Sequence, residues 1–144
     1  MRKVLLLTCA LLGTGVLTQA GAEGMTSTAP EDAALYIIEP KDGDTVESTF
    51  TVKFGLSGMG VAPAGVDQDK TGHHHLIIDT ELSTLDMRAP LPATDQVKHF
   101  GGGQTETTVT LPPGEHTLQL VLGNHLHVPF DPPLTSDVIS VTVE

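Results

Sequence analysis

Phe50-Thr51-Val52-Lys53-Phe54-Gly55-Leu56 decides the fold, because its apolar side chains fall at every second position. An extended chain sends alternate residues to opposite faces, so this pattern describes a strand with one face buried and one face wet. Leu118, Leu120 and Leu122 repeat the period between Thr117, Gln119 and Val121, as do Ile139, Val141 and Val143 between Ser140 and Thr142. Leu35–Ile38, Leu76–Ile78 and Thr105–Leu111 are shorter or less regular versions. Turn-forming residues separate them at Pro40-Lys41-Asp42-Gly43-Asp44, Pro112-Pro113-Gly114 and Pro129 through Pro133. No segment carries a helical period. The spacing predicts an all-β protein, an immunoglobulin-like antiparallel β-sandwich of about seven strands. They are expected at 34–38, 49–56, 73–79, 97–100, 105–111, 116–122 and 137–143, within a single domain over 34–144.

The N-terminus reads differently. Arg2 and Lys3 precede an apolar stretch from Val4 to Val16, and Ala20-Gly21-Ala22 offers a small-residue cleavage site. This predicts a signal peptide over 1–22, cleaved after Ala22, and a periplasmic or secreted protein. Cys9 raises lipidation as an alternative, although only a short apolar run precedes it. Residues 23–33 read as a flexible lead-in. The only cysteine would leave with the signal, so the remaining domain is expected to lack disulfides and the thiolate of a blue-copper centre. A formal charge of −11 over the whole chain opposes binding to nucleic acid or anionic membranes, and no membrane insertion is expected after cleavage. One Tyr, four Phe and no Trp make a poor stacking platform for sugars or single-stranded nucleic acid.

Histidine placement carries the chemistry. His73, His74 and His75 head an apolar strand, His125 and His127 flank Leu126, His99 precedes a glycine triplet, and His116 begins another strand. Strands that alternate in direction gather the connections holding His73, His75, His99, His125 and His127 at one pole. The same alternation leaves His116 at the other. This rests on a real strand near 97–100. On a strand His73 and His75 share a face, while His74 points with Leu76 and Ile78 to the opposite one. A His-x-His pair is a usual chelating arrangement, and His125-Leu126-His127 supplies a second if that segment is extended. Met59, between two glycines at the same pole, would favour Cu(I) over zinc.

Gly72-His73-His74-His75-Leu76-Ile77-Ile78-Asp79, His99-Phe100-Gly101-Gly102-Gly103-Gln104-Thr105-Glu106, Pro113-Gly114-Glu115-His116-Thr117-Leu118 and the run from His125 to Pro133 together resemble the bacterial domain of unknown function 4399 family. Gly58 through Gly65 adds to the resemblance, which extends from about Leu35 to Glu144. It implies an exported β-domain and assigns no activity. Phe130 stands where that family's pattern carries a histidine.

The reading reached from sequence is a transition-metal holder or carrier, copper as the first choice and zinc as the second. The candidate ligands are His73, His75, His125, His127, His99 and Met59. The rival is a non-catalytic accessory module of the cell envelope whose histidines brace the sandwich, with another periplasmic protein or a cell-envelope polymer as its partner. His74 and His116 read as structural. Asp67 and Asp69 read as solvated loop charges, and the glycine triplet reads as a tight turn passing close to another loop. Catalysis is not expected: G-x-S-x-G and H-E-x-x-H are both missing from the sequence.

Overall fold

Residues 24–144 are described by the computed structural model; the expected signal peptide and Cys9 lie outside them. Nine strands form among the described residues: β1 (Ala34–Glu39), β2 (Thr45–Val46), β3 (Thr49–Ser57), β4 (Gly60–Val61), β5 (Thr71–Ile78), β6 (Val97–His99), β7 (Glu106–Thr110), β8 (Gly114–Gly123) and β9 (Ile139–Val143). The seven expected strands are all present, and the two additional ones are two-residue pairings, β2 with β9 and β4 with β5, both parallel. One sheet runs β1-β3-β7, and the other runs β2-β9-β8-β5-β4 with β6 also on β5. The protein is an all-β sandwich.

Alternation explains the main core. Val52 and Phe54 from β3, Val109 from β7, Leu76 and Ile78 from β5, Leu118, Leu120 and Leu122 from β8 and Val141 from β9 bury their side chains between the sheets. Burying this much apolar surface supplies the dominant stabilising term, at about 25 cal/mol for each Å² removed from water.

β5 departs from the two-faced pattern: every residue from Gly72 to Ile78 is buried. Its inner face meets the main core. Its outer face is covered by the long segment between β5 and β6, which has only one short 3-10 turn at Leu82–Thr84. Leu82, Leu85, Met87 and Leu91 from that segment pack on Ile77, Val97 and Val121, forming a second, smaller core. A strand buried on both faces reads as a continuous apolar run rather than an alternating one, which is why Leu76-Ile77-Ile78 looked irregular as a sequence. Ser27 and Ala29, ahead of β1, contact the body. Asp131 N–H donates to Ser27 O at 2.8 Å, and Ala29 packs on the main core.

Candidate metal centre

The short β6 strand determines the polarity of the site. It pairs antiparallel with β5, placing His99 opposite His75, while β8 pairs on the other side with His73 opposite Gly123 and His75 opposite Val121. Directly paired residues project to the same face. His73, His75 and His99 therefore emerge together on the outer face of the larger sheet, at the end where β5 begins and β6 and β8 finish.

His127 arrives by a turn. After β8, buried Asn124 accepts the N–H groups of Leu126 (2.9 Å) and Val128 (3.2 Å) on Oδ1, and its own carbonyl accepts His127 N–H at 2.9 Å. An asparagine side chain bonding ahead to its own backbone is the usual way to hold such a turn. His127 takes a left-handed conformation, φ 63°, which aims its ring inward. Asn124 is held from behind, its Nδ2 donating to Met25 O at 2.7 Å and Ser27 Oγ at 3.2 Å.

Three ring nitrogens thus surround His127 Nδ1: His73 Nε2 at 2.8 Å, His99 Nδ1 at 3.1 Å and His75 Nε2 at 3.3 Å. His73, His75 and His127 each offer one nitrogen within 4.8 Å of the others, and His99 joins through His127. A single ring nitrogen holds one lone pair or one proton, so it makes a good hydrogen bond to only one of these neighbours. A cation satisfies all of them at once. Nitrogens at ~2.0–2.1 Å from a tetrahedral ion stand about 3.3–3.4 Å apart; the three spacings to His127 Nδ1 are 2.8, 3.1 and 3.3 Å, while His73, His75 and His127 as a group lie within 4.8 Å of one another.

The arrangement of candidates is therefore selective. His73, His75, His99 and His127 come together. His125 does not, because the Asn124 turn directs it outward, with Nδ1 3.5 Å from Asp67 Oδ1; the segment is folded rather than extended. Met59 packs against the main core on the other side of the sheet. His74 also faces that core, its ring centroid 5.1 Å from Phe54. Phe130 is buried in the main core. His116 lies at the opposite pole.

A model of the family described as domain of unknown function (DUF4399) matches residues 52–144, the stretch that holds every histidine of the chain. The chain belongs to the DUF4399 family. No curated protein matches it. The X-ray structure of the endo-beta-1,4-mannanase from Thermotoga petrophila is similar over 78% of this chain and 20% of that one, with 19% identity and a TM-score of 0.47. The chain thus spans about a fifth of that structure's length, and so distant a likeness carries no argument.

Burial favours the neutral rings of His73, His75 and His127 in this DUF4399 domain. Burial, with the nearby rings of His127, His99 and His74 adding repulsion, pushes His73 down from the ordinary imidazole value of 6.5 to about 4. His75 falls to about 2, from burial first and then from His73, His99 and His127, with only weak opposition from the Val121 backbone. His127 is lowered by burial and by His99. His74, pushed to about 4 by burial, is a core residue with neither ring nitrogen hydrogen-bonded among the described residues; the nearby Gln104 backbone opposes the shift without bonding geometry.

Two glycines make room for the cluster. An added Cβ at Gly123 would collide with the His75 ring, and one at Gly101 would stand 3.6 Å from His127 Cε1 and 3.2 Å from Ala64 Cβ. Gly101 belongs to the expected tight turn beside another loop, and Gly103 takes φ 83°. Asn124 and Gly123 were missed as positioning residues. Asparagine just ahead of a Pro-rich loop was the available clue to a turn, whereas nothing local marks Gly123.

Proposed function

We propose that this domain binds one divalent transition-metal ion through His73 Nε2, His75 Nε2, His127 Nδ1 and His99 Nδ1, and that its work is holding or delivering that ion. The observation that carries the reading is the convergence of three imidazole nitrogens on His127 Nδ1 at 2.8–3.3 Å. The set is all nitrogen and borderline in softness, which suits Cu(II) and Zn(II). Cu(II) ranks above Zn(II) in affinity for such donors, so copper remains the first choice, as the divalent ion. The thioether argument for Cu(I) loses its basis with Met59 in the core.

Reversible holding is favoured over a permanent structural ion. Ligating imidazoles normally donate their second N–H to a fixed acceptor, and losing such a partner costs about 10–100-fold in affinity. His99 has that support from the Pro92 carbonyl at 3.1 Å. Nδ1 of His73 and Nδ1 of His75 find no partner among the described residues. Delivery outside the cytoplasm, in exchange with another periplasmic protein, is the setting that the N-terminal sequence supports.

Calorimetric titration of the metal-free chain with Cu(II) and Zn(II) tests the reading. One ion per chain is expected, bound at micromolar Kd or tighter, with binding lost in the H73A/H127A double variant and retained in H125A. Millimolar affinity in the unaltered chain, or equal affinity in the double variant, overturns it and leaves the histidines as braces of an accessory module.

A further inference from the structure

The four imidazoles are not equivalent. His73 and His75 sit inside a strand paired on both sides, at 0% exposure. Their rings lie on the outer face of the sheet beneath His127 and His99, so solvent reaches them only past those two side chains. His127 and His99 are only half-buried. His99 terminates β6, a strand of three residues, and stands outside the compact group that His73, His75 and His127 make.

The far side of the His99 ring selects the tautomer of the neutral ring. Nε2 lies 3.1 Å from the Pro92 carbonyl, which can only accept, so in the neutral ring Nε2 carries the hydrogen and Nδ1 carries the lone pair. His99 is thus preset to offer Nδ1 toward His127. Its support comes from the 79–96 segment, a connection long enough to be unusual in a compact domain. That segment meets the site at two points, the Pro92 carbonyl on His99 and Leu91 N–H on the His127 carbonyl at 3.0 Å.

Resting on the metal-binding reading above, we propose that His99 is the exchangeable donor of the site. The ion enters and leaves on the His99 side, and an imidazole of an acceptor molecule takes the position His99 vacates. His73, His75 and His127 hold the ion while that substitution happens. Ligand exchange of this kind balances simply: one nitrogen–metal bond breaks as one donor–metal bond forms, without redox change. His99 returns to its Pro92 contact with Nδ1 unprotonated.

Chemical rescue separates an accessible position from a buried one. Zn(II) affinity is measured for the full chain and for H99A and H73A, each with and without millimolar imidazole, comparing every variant with the unaltered chain in the same buffer. H99A is expected to keep one ion per chain but to bind it at least about 10-fold more weakly, since losing a direct donor costs no less than losing an outer-shell partner. It should hand zinc to 4-(2-pyridylazo)resorcinol correspondingly faster, and imidazole should restore most of the lost affinity. H73A should bind poorly and gain nothing from imidazole. Rescue of both variants, rescue of neither, or unchanged transfer from H99A overturns the proposal while leaving metal binding intact. Absence of zinc binding by the unaltered chain ends both readings.

Discussion

At one end of β5, His73 and His75 face His127 and His99, and no carboxylate joins their compact group among the described residues. At the other end, His116 bonds Asp79 Oδ2 through Nδ1 at 2.6 Å and the Pro112 carbonyl through Nε2 at 2.9 Å. Both nitrogens of His116 therefore face acceptors, which favours the doubly protonated ring. Its pKa is raised, chiefly by the Asp79 hydrogen bond; burial opposes this as the next-largest effect, and Pro112 and the Asp79 charge add smaller increases. Asp79 also accepts Thr117 N–H on Oδ1 at 2.9 Å, tying the finish of β5 to the start of β8. The same side chain is thus pushed toward the neutral ring at His73 and His75 and toward the protonated ring at His116. What faces the ring decides its chemistry.

The largest expected effect that sharpens this contrast is on pH. The unfolded chain takes up protons on its histidines below about 6.5, whereas folded His73, His74 and His75 resist until about 4 or lower. The unfolded state binds more protons across that window, so stability of the metal-free chain falls as pH drops from about 6.5 toward 4, by on the order of a few kcal/mol. His116 has the opposite sign: its contribution is fully present below 6.5 and is lost as pH rises through its raised pKa. Urea melts across pH should show both limbs, and H116A should remove only the upper one. An unchanged stability between pH 7 and 4 would break the account of the neutral cluster. The same shifts imply that acid displaces metal from His73, His75 and His127 below the ordinary imidazole range rather than at it.

Next in size is Gly123→Ala, which forces the His75 ring from its place. Overpacking of this kind costs about 1–3 kcal/mol. It should also weaken zinc binding at least tenfold, while the His116 staple keeps its pH limb. Wild-type affinity for zinc in G123A would show that His75 is not a ligand. The smallest effect is expected for Asp79→Asn. The pair is partly exposed, with 42% of the Asp79 side chain accessible, so about 0.2–1 kcal/mol of stability is at stake. Metal affinity should not change. Altered zinc affinity in D79N would mean that the two poles communicate.

These poles also differ in how far they could be read in advance. The gathering of His73, His75 and His99 at one pole followed from period-two alternation and from counting strand reversals, with the three-residue β6 as the critical step; the pairing of β6 with β5 came from the structure. His116 was placed correctly at the far end by the same count, but its bond to Asp79 was not foreseen, because the pairing of partners 37 residues apart depends on register. His125 and His127 were expected to act alike as an extended pair. The Asn124 turn separates them, since alternation holds only while the backbone stays extended, and φ 63° at His127 ends it. Met59 was assigned to the site by loop position alone. Packing sends it to the core.

The pattern of short apolar segments between turns determined that this chain forms a sandwich, where its seven main strands lie, and that His73 and His75 share a face. These are properties of short extended segments, and each residue's neighbours in sequence suffice to specify them. Tertiary structure decided which other imidazoles meet that pair, which pole each histidine occupies in chemical terms, and how deeply each is buried. Those depend on a buried asparagine, on a glycine opposite His73 and on a loop laid across the sheet, all contacts between residues remote in the chain.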